Sequence, residues 1–399
     1  MDNSGNKSGH FQWTLLDPES NTEEPMKLAV TLHRILLPVI VLFGLIGNII
    51  SALVFTTTKL KKMSSSLYLT VLAISDSGFL VCVFMLWIDT LNVAVFDRPF
   101  VCQSLVYFTF VFSFLSVWIV NILTLEMYIL TFYLSTRTLR LLNRNLAKVV
   151  IFFLTVFAMV LYVHNLWTVE VYEIEHGKSI CIENSAHFVL IISFIDSLLT
   201  SIVPMVMMFV MTSRILLATI KDNKKETIVQ LQFAKEANPT ARKEIVYKKI
   251  DDKCLNQNNQ RYEKTLSGSP NSRNVLRTRS RNQALCAYRK LRNMLITIFI
   301  VFFFLNLPQH VNKLQSQVRS LVQKGYVVTQ NEMAVTHLLD LLFYLNFSIN
   351  FLIYCGFTKQ FRNHIFAIPI HSICALKNFK KNWKTNVSRK NLLQNTLQA

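Results

Sequence analysis

Residues 293–312 read NMLITIFIVFFFLNLPQHVN, twenty positions in which His310 is the one titratable group. A helix of that length spans roughly 30 Å, the hydrocarbon thickness of a bilayer. Six more windows have the same character. Residues 35–58 and 99–125 carry no charge, 63–88 only Asp76, 149–169 none beyond His164, 184–213 only Asp196, and 333–358 only Asp340. A β-barrel would need alternating segments of about ten residues. The unbroken run VFFFLNL at 301–307 is not of that kind. Pro38, Pro204 and Pro308 lie inside windows, where neighbouring groups can satisfy the freed carbonyls.

Composition agrees. Of 399 residues, 52% are apolar and 16% charged, against about 25% charged in soluble domains. Only 9 Gly and 7 Cys exclude a collagen-like fibre and a small disulfide scaffold, and the apolar content excludes a disordered chain. The fold class expected is an all-α membrane protein, a seven-transmembrane helix bundle followed by a short amphipathic eighth helix.

Charge sets the expected orientation. The loops at 59–62 and 135–148 and the tail after residue 357 hold fifteen Lys/Arg and no Asp/Glu. Residues 1–34, 89–98, 170–183 and 313–332 hold eight Lys/Arg and twelve Asp/Glu. By the positive-inside rule the amino terminus is extracellular and the carboxyl terminus cytoplasmic in a plasma-membrane protein. The net charge of +19 then points to anionic inner-leaflet lipid rather than nucleic acid. Residues 1–27 show no cleavable signal, so the first span is expected to direct its own insertion.

The chain divides into an extracellular tail at 1–27, five spans within 28–213, a long basic cytoplasmic loop at 214–292, two spans within 293–356, an amphipathic helix at 357–368 and a basic tail at 369–399. The loop is expected to be largely disordered, because NQNNQRYEKTLSGSPNSRNVLRTRSR at 256–281 has little to bury. Its ends, 214–236 and 282–292, are expected to continue the fifth and sixth helices. Phe357, Phe361 and Ile365 share one face of the amphipathic helix, expected to lie on the inner leaflet. Cys374 beyond it is a palmitoylation candidate or a thiol without a role. Asn6 heads the one extracellular glycosylation sequon. Cys102 and Cys181 fall on the oxidising side, where a disulfide is the economical reading and an unpaired Cys181 the alternative.

GNIISALVF at 47–55, LAISD at 72–76, the two outer cysteines, LTLEMYIL at 123–130, Pro204, LNLPQH at 305–310 and NFSINFLIY at 346–354 followed by TKQFR resemble the rhodopsin-like (class A) G-protein-coupled receptor pattern over residues 28–368, apart from the long loop. The LPQH and NFxxY forms look most like invertebrate neuropeptide receptors of the FMRFamide and thyrotropin-releasing-hormone-like groups. The resemblance implies a receptor, not an enzyme, that binds an extracellular peptide ligand and signals to a heterotrimeric G protein and arrestin.

A carboxylate in mid-membrane is expensive and marks a functional site, so Asp76 leads the expected switch. The resemblance implies that Asn48, Ser116, Asn346 and Asn350 join it at one depth, with a sodium ion at Asp76, Ser116, Asn346 and Asn350 or a proton on Asp76. A neutral Asp76 satisfied by hydrogen bonds alone is the alternative. It also implies switch roles for Glu126, Met127, Tyr128, Pro204, Asn306, Pro308 and Tyr354. Departures stand among these. Met127 replaces the arginine of the third-span motif, Asn306 the sixth-span tryptophan, Thr212 the fifth-span tyrosine and Phe351 the seventh-span proline. Glu126 is then expected to be neutral more often or to borrow Arg137, Arg144 or Arg289. Met127 leaves open a receptor-fold scavenger or decoy with weak or no G-protein coupling.

Asp89, Asp196 and Asp340 stand roughly 12–20 Å outward of their anchors Asp76, Pro204 and Asn350, at 1.5 Å per residue. They are expected to line an outward cavity with Trp87, Thr109, Ser113, Gln309, His310, Lys313, His337 and Tyr344. A negative cavity suits a cationic, amidated peptide, unless Lys313 pairs with one of the acids. A transporter would show repeated halves and Gly/Pro-broken spans, and an intramembrane enzyme paired catalytic groups. Neither pattern is visible.

Overall fold

The computed structural model describes residues 24–57, 64–89, 91, 99–133, 142–174, 178–183, 187–236, 272–323, 328–357 and 361–363. Each apolar window becomes a helix, because only a helix satisfies every backbone group within its own segment. The spans are Glu24–Thr57, Ser64–Asp89, Pro99–Phe132, Arg144–Leu161, a fifth in three pieces, Ser272–Val322 and Gln330–Phe357. All seven are long and apolar enough to cross a membrane. Asn143 opens the fourth, its side chain accepting from the Leu146 amide at 2.8 Å.

Between the fourth and fifth spans an antiparallel hairpin pairs β1 (Val169–Ile174) with β2 (Lys178–Glu183), placing Val171 opposite Cys181. The alternation in VEVYEI is a strand pattern, although the loop was read above only for its charge and cysteine. Val169 and Val171 pack with Leu86, Cys102 and Val106, which docks the hairpin on the second and third spans.

The first span packs mainly on the seventh and second. Small residues let the backbones approach. A Cβ on Gly44 would come within 2.6 Å of Leu80 Cδ1 and 2.8 Å of Ser348 Cβ, and one on Gly47 within 2.8 Å of Phe351 Cβ. Hydrogen bonds then tie the pair, from Ser348 Oγ to Ile40 O at 3.0 Å and from Asn48 Nδ2 to Phe347 O at 2.9 Å. The fourth span instead exposes Phe152, Phe153, Val156 and Phe157, a face suited to lipid.

The fifth span runs as His187–Ser197, a π-helical turn at Leu198–Ile202, and Val203–Glu236. Within the turn the Val203 amide bonds Leu198 O, five residues back. The next donor in that pattern would be Pro204, which has no N–H, so Leu199 O is left open. Trp118 Nε1 fills it at 3.1 Å.

Two expectations need correction. The fifth helix reaches Glu236 and the sixth begins at Ser272, so helix covers the loop ends where it was expected, 214–236 and 282–292, and also 272–281, ten residues of the Asn/Ser/Arg-rich stretch expected to be disordered. Helix propagation from an existing end avoids the nucleation cost that a polar segment faces alone. The amphipathic helix is described only as a turn at 361–363, and Phe361 is fully buried against Phe55, Phe351 and Tyr354 rather than turned to lipid. Arg362 Nη1 caps the seventh helix, bonding Gly356 O at 3.0 Å and also Cys355 O. Asn6, Ile365 and Cys374 lie outside the described residues.

Trp118→Phe keeps the ring but strips the donor from Leu199 O. The expected cost is about 1–3 kcal/mol, the penalty of one buried unsatisfied polar group, read as a lower unfolding temperature of the purified protein. The half-buried Trp87, whose indole bonds Arg34 O of the first span at 3.1 Å, serves as the comparison when it is likewise replaced with Phe. A Trp118→Phe protein as stable as wild type would show that the turn satisfies itself.

Candidate functional site

At the hairpin end the sixth helix carries two polar edges. His310, Lys313 and Gln317, at helical spacing, face the fifth span. His310 Nδ1 is bonded to Ser201 Oγ at 2.7 Å, and Lys313 Nζ forms an ion pair with Asp196 Oδ2 at 2.8 Å. Gln317 accepts from Ser197 Oγ at 2.9 Å and donates to Ser193 Oγ at 2.6 Å. The other Asp196 oxygen accepts from the Tyr162 hydroxyl at 2.6 Å, and Lys313 Nζ stands 5.9 Å from the Phe110 ring centre. Asp196 is 7% exposed. A carboxylate buried this far needs both a counter-ion and a second donor, and it has them.

The second edge meets the seventh span in antiparallel register. Gln309 Nε2 donates to Asp340 Oδ1, Asn312 Nδ2 to Thr336 Oγ1 at 3.0 Å, and Arg319 Nη1 pairs with Glu332. Asp340 is buried and makes no ion pair among the described residues. Asn306 Oδ1, Gln309 Oε1 and His310 Nε2, around Pro308, are buried with no hydrogen-bond partner among the described residues. Asn306 spends its donor on Phe302 O at 2.6 Å within its own helix.

The structure thus brings together Asp196 with Lys313 and Gln309 with Asp340, and sets His310 against Ser201. It does not bring in the rest of the expected set. Trp87 turns to Arg34 and stacks on Phe84. Thr109 Oγ1 returns to Leu105 O at 2.7 Å. His337 and Tyr344 meet His33, with ring centres 5.4 and 6.1 Å from it, although Tyr344 also lies within electrostatic reach of Asp340. Ser113 is half-buried. The Asp89 side chain lies outside the described residues, though its backbone ends the second helix. The reading of three open carboxylates is corrected for Asp196, because Lys313 reaches it. Tyr162, Ser193, Ser197, Ser201 and Gln317 were missed. The three serines stand four apart, a stripe the sequence displays.

In the middle of the bundle Asp76 is completely buried. Ser116 Oγ donates to Oδ1 at 2.6 Å and Asn350 Nδ2 to Oδ2 at 2.9 Å, so the second, third and seventh spans meet on one carboxylate. Asn48 bonds the seventh-span backbone, and Asn346, one turn nearer the hairpin end, is buried without a bond to Asp76. The Tyr354 hydroxyl is buried with no partner among the described residues, its ring between Phe55 and Phe361.

At the opposite end Glu126 accepts from the Ser64 hydroxyl, while its Oε2 is buried without a partner among the described residues. Of the three cations named as ones Glu126 could borrow, Arg144 does not bond it, and Arg137 and the Arg289 side chain lie outside the described residues. Met127 is 1% exposed in the cluster with Leu123, Ile215, Met294, Ile298 and Tyr354. The Tyr128 ring lies tilted against Phe132, and its hydroxyl accepts from Arg214 Nη1 at 3.3 Å. Thr212 Oγ1 is another buried group with no partner among the described residues. Cys102 is disulfide-bonded, whereas Cys82 and Cys355 are free.

The family described as 7 transmembrane receptor (rhodopsin family) matches residues 47–354. Comparison with curated proteins returns no match. That stretch runs from Gly47, packed on Phe351, to Tyr354 and takes in the Asp76 junction, both edges of the sixth helix and the Glu126 end. The chain belongs to the rhodopsin family of seven-transmembrane receptors and is a multi-pass signalling receptor of the cell surface.

Proposed function

We propose that this receptor binds an extracellular cationic, amidated neuropeptide at the hairpin end and signals through a heterotrimeric G protein at the opposite end, with arrestin and anionic inner-leaflet lipid as further cytoplasmic partners. The hairpin end is extracellular in this reading, as the loop charges favour. One observation carries the ligand's charge. Asp340 is a buried carboxylate whose partner is the neutral amide of Gln309, whereas Asp196 is held by Lys313. A guanidinium or ammonium brought to Asp340 supplies a missing counter-charge, and the open acceptors on Gln309 and Asn306 suit a donor-rich group. Cys181 is the proposed partner of Cys102. The hairpin places it opposite Val171, which packs in the Cys102 cluster, and the bond would fix the hairpin over the cavity mouth.

Asp76, Ser116 and the amide oxygens of Asn346 and Asn350 would supply an all-oxygen set with one formal charge, the kind a small hard cation takes, once Asn350 turns its oxygen in place of the Nδ2 that now faces Asp76. Sodium there would neutralise the carboxylate. Ser116 and Asn350 already orient Asp76, and Asn346 would have to turn toward it. A second reading, a ligand-binding decoy with little coupling, is favoured by Met127. A buried thioether offers neither the charge nor the fork that the arginine of this family supplies to its partner.

Screening an amidated-peptide library on cells, with binding and calcium or cyclic-nucleotide readouts taken together, tests the function. Binding with a second-messenger response supports the receptor, binding without one the decoy, and no binding by any cationic peptide opposes both. With a cationic peptide in hand, Asp340→Asn is expected to weaken it on the order of a hundredfold, about 2.7 kcal/mol, and to leave a neutral analogue unaffected. Equal losses for both analogues would remove Asp340 from charge recognition. Met127→Arg, compared at equal surface expression, is expected to raise agonist-driven G-protein activation several-fold. A wild type that already signals as strongly as the variant would make Met127 a tolerated residue and retire the decoy.

A further inference from the structure

The first and seventh spans each present a histidine that the proposed ligand and switch sites leave unused. His33 and His337 face one another with ring centres 5.4 Å apart and planes at 63°. His33 is 7% exposed, and its Nδ1 is buried without a hydrogen-bond partner among the described residues. A buried nitrogen in that state is destabilising until something bonds it. No carboxylate or carbonyl among the described residues fixes the tautomer of either ring. The remaining surroundings are the Tyr344 ring, 6.1 Å from His33, and the apolar cluster of Met26, Ala29, Val30, Met333 and Ala334 that joins the ends of the two spans.

Two imidazoles bound to one tetrahedral ion, with metal–nitrogen bonds of about 2.0–2.1 Å, hold their ring centres roughly 5 Å apart. The observed separation therefore matches shared coordination with little side-chain movement. Imidazole nitrogen selects zinc, copper or nickel, while calcium and magnesium require oxygen. We propose that His33 and His337 bind a zinc-class transition-metal ion that clamps the first span to the seventh at the hairpin end. Among the described residues no group of three metal-ligating side chains exists. The site thus has two protein ligands with water in the other positions, so its binding is reversible rather than structural. His337 lies one turn from Asp340 on the same side of the helix. Metal occupancy accordingly bears on the part of the seventh span that meets Gln309.

The test uses the full-length protein in detergent or nanodiscs and reads its unfolding temperature against added Zn2+ or Mg2+. An ion that binds only the folded state raises that temperature in proportion to its saturation. Zn2+ in the micromolar range is expected to raise it by several degrees, and Mg2+ not at all. His33→Phe and His337→Phe keep aromatic packing but remove a ligand, and each should abolish the zinc shift. His33→Cys supplies a thiolate in place of the imidazole and should retain it. If a Phe variant does not fold, the Cys variant decides, because alkylating its thiol should remove the shift while leaving the wild type's intact. No zinc shift in wild type would mean ring packing only. A shift that survives both Phe variants, or alkylation of the Cys variant, would place the metal elsewhere. Either result overturns the proposal.

Discussion

A completely buried carboxylate must have its oxygens satisfied from within the protein, and Asp76 obtains its two donors from Ser116 and Asn350 on two other spans. Lipid-facing helices have no water-driven reason to associate, so packing and interhelical hydrogen bonds select their neighbours. The Asp76 junction fixes the second, third and seventh spans at one depth. Gly44 and Gly47 then bring the first span onto the seventh, and Gly78, where a Cβ would meet the Phe112 ring, brings the second onto the third. The remaining polar bonds fall into place around that frame.

The sixth span is built differently. Its middle is uniformly apolar, but beyond Pro308 it turns polar on two sides and satisfies itself against the fifth and seventh spans at once. Such bonds are individually modest, since alternative partners exist in any arrangement of helices. A span held by many replaceable contacts rather than one deep junction can exchange them when a ligand supplies better ones. The acceptors at Asn306 and Gln309 that have no partner among the described residues sit where that exchange would begin. At the other end Glu126 is held by a neutral hydroxyl and Met127 by apolar packing, so the third span lacks an ionic restraint within its own motif.

The spans were legible because twenty apolar residues without charge admit few other structures. The Asp76 partners Ser116 and Asn350 were legible too, although only through the family resemblance and not through spacing. Less was visible where the outcome depends on three-dimensional register. The Lys313–Asp196 pair joins residues more than a hundred positions apart, and sequence could offer it only as an alternative to an open acid. The π turn arises from Pro204 together with Trp118, a partner on another span, which no local pattern reveals. The hairpin is not evident in composition, because its strands are short and carry charge among the alternating apolar residues. The start of the sixth helix at Ser272 rather than near 282 was not visible because composition reports what a segment can bury and not what it can extend from.

The most direct measurement on the Asp76 junction is an exchange of its two side chains across the second and seventh spans. Asp76→Asn and Asn350→Asp each disturb the match of one carboxylate with one amide, and the double exchange restores it in reverse. Unfolding temperature and surface expression of the four proteins give the coupling directly. Both single variants are expected to be less stable than wild type, with the double variant recovering most of the loss, a coupling of about 1 kcal/mol or more. A double variant as unstable as the sum of the singles would show that Asp76 and Asn350 act independently, and that something other than this junction sets the bundle.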